Sequence, residues 1–156
     1  MKKTNALRIL DRNKIDYEVL ELESSGEYGS AVETAEKNNL DPARIFKTLV
    51  VQGDKNGIAV AVVSGDKQLI FKALAKITSD KKILMLPLKD LTKVTGYVRG
   101  GCSPLGMKKD FPVVLDDTAQ EFDRIYVNAG KRGFLMSIKP ADLIKVCDAT
   151  VGKIAK

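Results

Sequence analysis

The amino-acid sequence predicts a single α+β domain built on a mixed β-sheet. Short β-rich runs and helical patterns are mixed along the chain, as in domains of this class. Two of those runs, Ile45–Gln52 and Ile58–Ser64, flank the turn residues Gly53-Asp-Lys-Asn-Gly57 and indicate an antiparallel hairpin. With 156 residues the chain is long enough to bury a proper hydrophobic core, and we expect residues 1–156 to form one domain.

Two local signals predict the first helices. Apolar residues between Ala6 and Leu10 recur with a period near 3.6. Ser30 and Glu33 form a capping box that starts the second helix. In chain order, the predicted elements of the first half are a helix over residues 4–13, a strand over 17–22, a loop over 23–29, a helix from 30 to about 39, a tight turn at 41–42, the hairpin and a helix over 66–77.

Proline and glycine delimit the elements of the second half. Pro87 starts a helix that Gly96 ends, because proline favours the first helical turn and glycine the position after the last. The other predicted elements are a strand over residues 83–86, a glycine-rich loop after Gly96, a strand over 113–115, a turn over 118–121, strands over 125–127 and 134–138, a helix from Pro140 and a last strand near Val151.

The chain carries a formal charge of +6 and has a pI near 9.3, which favours anionic partners. The basic residues in or beside the motifs described below are Arg44, Lys47, Lys108, Lys109, Lys131 and Arg132. No stretch approaches eighteen uninterrupted apolar residues, so we expect no membrane partner. The N-terminal residues lack the apolar segment of a secretory signal, and the cytoplasm is the expected location.

The chain has two cysteines, Cys102 and Cys147, and no histidine, which limits the catalytic groups that it can use. Their spacing gives no zinc pattern, and we expect neither a metal nor a cofactor. Without histidine the chain has no Ser-His or Cys-His dyad. A nucleophilic Cys102 is an alternative, but an inert loop residue is favoured because no histidine can activate the thiol. Catalysis must then come from lysine, carboxylates, backbone amides or the substrate itself.

The run Tyr97-Val-Arg-Gly-Gly-Cys-Ser-Pro-Leu-Gly-Met-Lys-Lys109 is the strongest local signal for a ligand site. Gly100 and Gly101 allow another molecule to lie against the main chain, and Pro104 fixes the exit of the loop. A loop with accessible amides and basic neighbours suits an anionic, oxygen-rich ligand. A simple tight turn is the alternative interpretation.

Lys47 is a candidate ligand-binding cation inside a strand. Alternation places it on one face with Ile45, Leu49 and Val51, where lysine is rarely found without a partner. The ammonium either binds a phosphate or carbonyl oxygen in a cleft or extends to solvent from an edge strand. Thr48 points to the opposite face, although its backbone amide can still face a ligand.

Three runs in this order, Ile45–Val51, Tyr97–Lys109 and Tyr126–Gly133, resemble the YbaK/EbsC family. The family comprises free-standing aminoacyl-tRNA deacylases related to the editing domain of bacterial prolyl-tRNA synthetases, and the resemblance covers nearly the whole chain. It implies a curved, partly closed sheet surrounded by helices. It also implies that Lys47 is the signature lysine and that the loop from Gly101 to Pro104 is the family's glycine–proline loop.

The resemblance assigns further roles within the site. Gly100 and Gly101 would offer amides to the ester carbonyl. Asn128, Ala129 and Gly130 would form a second substrate-binding loop, although the family often has serine where Asn128 stands. Thr48 would contact the substrate, and Tyr28 would line the entrance.

The function implied is trans-editing: removal of cysteine from mischarged Cys-tRNA(Pro) by attack of the cysteinyl thiol on its own ester, which forms a thiolactone. The expected partners are the 3′-terminal aminoacyl-adenosine of a tRNA and prolyl-tRNA synthetase. Three alternatives stay open: a deacylase for another mischarged tRNA such as Ala-tRNA(Pro), ordinary hydrolysis, and a non-catalytic module that binds tRNA or a synthetase. The oligomeric state cannot be read from the sequence.

Overall fold

The structure is a computed structural model that describes residues 2–22 and 31–156, without the side chains of residues 31, 32 and 34. The helices are α1 Asn5–Arg12, α2 Ala31–Lys37, α3 Phe71–Thr78, α4 Leu91–Thr95 and α5 Pro140–Cys147. The strands are β1 Tyr17–Glu21, β2 Phe46–Gly53, β3 Gly57–Ser64, β4 Ile83–Met85, β5 Val113–Asp116, β6 Ile125–Asn128, β7 Phe134–Ile138 and β8 Thr150–Gly152. Short 3-10 helices cover Pro42–Arg44, Leu88–Asp90 and Asp117–Glu121.

The strands form two sheets. The smaller sheet has the order β1-β7-β6 and is antiparallel. The larger has the order β4-β2-β3-β5-β8, with antiparallel pairs around β2 and parallel pairs around β5. This arrangement confirms the predicted α+β class and mixed sheet. In the described part of the chain the sheets do not close into a barrel.

The two sheets meet where β2 begins, at a parallel bridge between Ile45 and Tyr126. Arg44 reinforces this junction. Its guanidinium lies over the ring of Tyr126, 5.4 Å from the centroid, and donates to the carbonyl of Arg124 through two nitrogens. The predicted curved, partly closed sheet is therefore realised as two sheets joined at one edge.

The hairpin β2–β3 separates two apolar clusters, because successive side chains of a strand point to opposite faces. One face carries Phe46, Val60 and Val62 and packs against α1 and the smaller sheet. The other carries Val51, Ala61 and Val63 and packs against α3 and the C-terminal residues. The predicted hairpin bounds differ from the observed ones by one residue at three of the four strand ends.

The predicted helix over residues 66–77 begins later, at Phe71. Leu69 forms an antiparallel bridge with Ala155, and the backbones of Gln68 and Lys156 exchange two hydrogen bonds. The amide of Ile70 donates to Ile154. These residues pair with the C-terminal segment, so their backbone groups cannot start a helix.

Other element boundaries follow local backbone geometry. The helix after Pro87 is a 3-10 turn followed by α4, and Gly96 ends it in the left-handed conformation with φ +87°. The second helix ends at Lys37, earlier than predicted, and Asn39 is left-handed. Ser30 of the predicted capping box lies outside the described residues. Among the described helices, none is long and apolar enough to span a membrane.

Candidate functional site

A gap opens between β4 and β6 along one edge of β2, and we call it the sheet gap. On this edge β6 meets the chain only at Ile45, and β4 pairs only with Val51–Gly53. The amide of Leu86 donates to Val50 on the same edge. Because backbone groups of alternate residues in an antiparallel strand point to one edge, the N–H and C=O of Thr48 also point there. No described strand pairs with them on that edge.

Lys47 lies beside the sheet gap and is half-buried. Its Nζ donates to the carbonyl of Lys67 at 2.9 Å, in the turn that follows β3. Burial lowers the pKa of Lys47, and the nearby carboxylate of Asp66 opposes this by raising it. Leu49 and Val51 share its face, as predicted, and pack in the second apolar cluster.

Thr48 carries an orphaned polar atom. Its hydroxyl Oγ1 is buried and makes no hydrogen bond within the described part of the chain. A buried hydroxyl left without a partner costs about 1–3 kcal/mol. Thr48 pairs with Val62 across the hairpin, so its side chain lies on the face of the cluster that contains Ala129 and Leu105. The hydroxyl of Thr48 is therefore unpaired but enclosed, the backbone of Thr48 faces the sheet gap, and Lys47 projects to the opposite face of β2.

The side chain of Asn128 joins the two motif loops. Its Nδ2 donates to the carbonyl of Gly100 at 2.8 Å. Its Oδ1 accepts from the amides of Gly130 at 2.7 Å and Lys131 at 3.1 Å. Both ends of the amide are thus engaged in holding the Gly100 loop against the loop over residues 128–131. A serine hydroxyl can also donate and accept, but it is a single atom on a shorter side chain and would not span the two loops in this way.

The peptide between Gly100 and Gly101 is held at both ends. Its carbonyl accepts from Asn128, and its amide, on Gly101, donates to the carbonyl of Val98 at 2.9 Å. The amide of Gly101 is therefore occupied, although the sequence predicted that it would bind the ester. The amide of Gly100 makes no hydrogen bond among the described residues, and Gly100 itself is exposed.

Gly101 is required for the close packing of the two loops. A Cβ at this position would lie 2.9 Å from the backbone nitrogen of Arg132 and 3.3 Å from the carbonyl carbon of Lys131. At Gly100, by contrast, a Cβ would meet only the flexible side chain of Arg132, at 3.4 Å. Gly100 needs glycine for a different reason, its φ of +81°.

Thr4 and Tyr97 hold these two loops through hydrogen bonds to their backbone carbonyls. The hydroxyl of Thr4 caps α1 by accepting from the amide of Leu7, and it donates to the carbonyl of Ala129 at 2.5 Å. The buried Tyr97 donates to the carbonyl of Leu105 at 2.5 Å. Burial raises the pKa of Tyr97 to about 12, so it remains a neutral donor. Sequence analysis missed both roles; Thr4 was recognisable as a helix start, but its contact with Ala129 leaves no local signal.

Cys102 lies in this loop and is partly buried. Burial raises its pKa to about 11, so the thiolate is scarce at neutral pH. Cys147, on α5, is partly buried, and burial raises its pKa to about 12. Asp116, at the end of β5, accepts from Thr118 and from the amide of Ile154 and is fully buried.

A cleft of about 580 Å³ lies elsewhere, between the turn of the hairpin, the end of α3 and the start of β5. Its lining includes Asn56, Asp80 and Asp148 and none of the motif residues. Among the described residues, no group of three or more cysteine or acidic side chains is placed to bind a metal ion. Tyr28, the predicted entrance residue, lies outside the described residues.

Comparison with known proteins identifies the family. Residues 27–146 match the model of the aminoacyl-tRNA editing domain. The chain belongs to this family. It is 44% identical over 153 residues to a protein of Enterococcus faecalis named as a Cys-tRNA(Pro)/Cys-tRNA(Cys) deacylase, EbsC, and the match covers 98% of this chain and 93% of that protein.

Two further relatives place the editing domain in other contexts. A proline–tRNA ligase of Kosmotoga olearia is 27% identical over 115 residues, which are 74% of this chain and 20% of the ligase. The crystal structure of a protein described as a trans-editing enzyme for prolyl-tRNA synthetase superposes with a TM-score of 0.84 at 22% identity, covering 100% of this chain and 99% of that one. This second likeness establishes the editing-domain fold alone.

Proposed function

We propose that this editing-domain protein is a trans-editing deacylase that removes cysteine from Cys-tRNA(Pro). The near-complete match to the Enterococcus faecalis protein carries the proposal, because it spans the whole chain at 44% identity. The geometry supports the proposal, since two glycine-containing loops held together by Asn128 border the edge of β2 on which no described strand pairs with Thr48. A second site that destroys the wrong product is needed because cysteine and proline are similar in size, and size alone discriminates weakly.

The proposed reaction uses the substrate's own thiol as the nucleophile. The cysteinyl sulfur attacks the ester carbonyl carbon, the bond from that carbon to the ribose oxygen breaks, and a thiolactone leaves. The thiol proton ends on the ribose oxygen, so tRNA and thiolactone account for all atoms. The chain has no histidine to activate water, and burial raises the pKa of Cys102, which disfavours an enzyme nucleophile.

The protein would then supply position and charge. The ammonium of Lys47 binds oxygen of the 3′-terminal nucleotide after leaving the carbonyl of Lys67. Thr48 offers its orphaned hydroxyl and backbone, and the exposed Gly100 offers its amide to the carbonyl oxygen as charge develops. Asn128, Ala129 and Gly130 would form the facing wall, and Tyr28 stays a proposed residue of the entrance. Such placement is worth a large factor in rate even without an enzyme nucleophile.

The proposed partner that provides tRNA identity is prolyl-tRNA synthetase. The same domain occurs within the proline–tRNA ligase of Kosmotoga olearia, where it is about a fifth of the chain. Residues 27–146 match the editing domain, and a ternary complex with the synthetase would supply the selection of tRNA(Pro).

A deacylation assay with a panel of charged tRNAs tests the function. Cysteinyl-, alanyl- and prolyl-tRNA(Pro) are each incubated with the wild-type protein and with Lys47→Met, and the products are identified by mass spectrometry. We expect clearance of the cysteinyl ester with thiolactone formed, and little loss of the prolyl ester. Preferential clearance of alanyl-tRNA(Pro) would instead assign that substrate, and no clearance of any ester would leave a binding module.

A further inference from the structure

The positive charge of the protein is concentrated on two segments. Residues 91–110 and 128–133 contain six lysines and arginines and one acidic residue, Asp110, whereas the whole chain has a net charge of +6. The rest of the chain is therefore close to neutral. The six basic residues are all exposed: Lys93, Arg99, Lys108, Lys109, Lys131 and Arg132. We call this set the basic rim.

Hydrogen bonds and packing contacts connect the basic rim into one surface. Arg132 donates to the carbonyl of Arg99 through Nε and a terminal nitrogen, at 3.2 and 3.0 Å. Lys108 donates to the carbonyl of Lys93 at 3.2 Å, and its aliphatic part lies against Gly96. Lys131 lies over the ring of Phe134, 5.3 Å from the centroid. The close approach of Gly101 to the backbone of Arg132 joins the two segments.

The basic rim borders the proposed site, because the loops that carry it also carry Gly100 and Asn128. Six exposed cations on two rigid loops match a row of phosphates better than a single anion. Exposed lysines and arginines that contact phosphates raise affinity without reading sequence, which suits a domain that must accept the end of a helix.

We propose that the basic rim binds the phosphate backbone of the tRNA acceptor stem and so directs the aminoacylated 3′ end into the sheet gap. This inference rests on the proposed deacylase function. It assigns the recognition of the stem to charge and shape, and it separates that recognition from the chemistry at Lys47, Thr48 and Gly100.

The test is a double charge reversal, Lys109→Glu with Lys131→Glu. The side chains of both residues are exposed, and neither is placed in the proposed reaction. The matched control is Lys76→Glu with Lys153→Glu, which changes the net charge equally at exposed positions on α3 and after β8. All variants are first checked for unchanged thermal unfolding.

Single-turnover deacylation is measured with Cys-tRNA(Pro) and with the 3′-cysteinyl ester of adenosine 5′-monophosphate, at 50 and 200 mM salt. Loss of two phosphate contacts lowers the slope of log affinity against log salt by about 1.8, which is about twelvefold over this fourfold salt range. We therefore expect the half-saturating tRNA concentration of the rim variant to be at least about twelvefold above wild type at 50 mM. The control should match wild type, and the rim variant should cleave the short ester normally.

The possible outcomes distinguish a failure of the basic-rim proposal from a failure of the proposed function. Failure of wild type to cleave either substrate would refute the proposed function itself. Normal cleavage by wild type with an unchanged half-saturating tRNA concentration and salt slope in the rim variant would overturn the rim proposal alone. Equal loss on the short ester, or equal weakening in the control, would overturn it as well, because the charges would then act at the site or through the net charge.

Discussion

Replacing Asn128 by aspartate isolates the contact that joins the two motif loops. Aspartate keeps an oxygen for the amides of Gly130 and Lys131 but presents a second oxygen to the carbonyl of Gly100. A hydrogen bond of 2.8 Å is thereby replaced by a repulsive pair. The contact is partly exposed, so we expect the free energy of unfolding to fall by only about 1–2 kcal/mol.

The effect on the rate should be larger than the effect on stability. Once released by residue 128, the Gly100–Gly101 peptide can rotate, and a displacement of about 1 Å at a catalytic group can cost about 100-fold. We expect the single-turnover rate constant with saturating Cys-tRNA(Pro) to fall between about 10- and 100-fold. The half-saturating tRNA concentration should rise less than the rate constant falls, because Asn128 itself binds no phosphate in this account.

Asn56→Asp is the matched control. Its Nδ2 donates to the carbonyls of Thr78 and Ser79, so the same change breaks the same kind of contact away from the site. This variant should lose similar stability and keep its activity. A rate for Asn128→Asp within twofold of wild type would refute the reasoning that the amide positions the glycine loop.

The remaining predictions concern residues beside the sheet gap. Because burial lowers the pKa of Lys47 below 10.5, the deacylation rate should decline as pH rises through this lowered pKa. Between the lowered pKa and 10.5, wild type should gain stability relative to Lys47→Met, since the unfolded chain holds the proton more tightly. A flat rate profile in wild type would contradict the need for the ammonium. Thr48→Val should raise the free energy of unfolding by about 1 kcal/mol, measured by thermal unfolding, because it removes an unpaired buried hydroxyl. It should also lower the single-turnover rate roughly tenfold or more. An unchanged rate would mean that the hydroxyl does not touch substrate. Gly101→Ala should lower the free energy of unfolding, measured by chemical denaturation, by about 1–3 kcal/mol because its Cβ meets the backbone of Arg132, and it should slow deacylation. Cys102→Ala should keep the wild-type rate. An inactive Cys102→Ala would restore the thiol as nucleophile.

The local order of elements could be predicted because periodicity and turn residues act over short distances. The hairpin β2–β3 has its alternation and turn within one contiguous run, and the prediction was confirmed to within a residue at each strand end. The prediction of helix before Phe71 was wrong because a long-range partner, the C-terminal segment around Ala155, takes the backbone groups of these residues. No pattern within residues 66–70 carries that information.

The candidate site likewise contains features that the local sequence could predict and features that it could not. Lys47 and the glycine loop were visible as unusual residue types in their local context, and their roles stay predictions. The state of the Gly101 amide was not visible, because it depends on the carbonyl of Val98 and on the side chain of Asn128, which binds Gly100 from 28 positions away. The sheet gap itself exists because the smaller sheet meets the larger one only at the Ile45–Tyr126 bridge, just before β2, and a strand's own residues do not encode that topology.

The comparison of Cys-tRNA(Pro) with Ser-tRNA(Pro) tests the central claim most directly. The two esters differ by one atom, sulfur or oxygen, and a hydroxyl is a far weaker nucleophile than a thiol near neutral pH. Under single-turnover conditions the account predicts that the cysteinyl ester is cleared at least about 100-fold faster and that thiolactone is recovered. Equal rates for the two esters, with free cysteine and serine as the first products, would contradict it and assign the protein an ordinary hydrolytic mechanism.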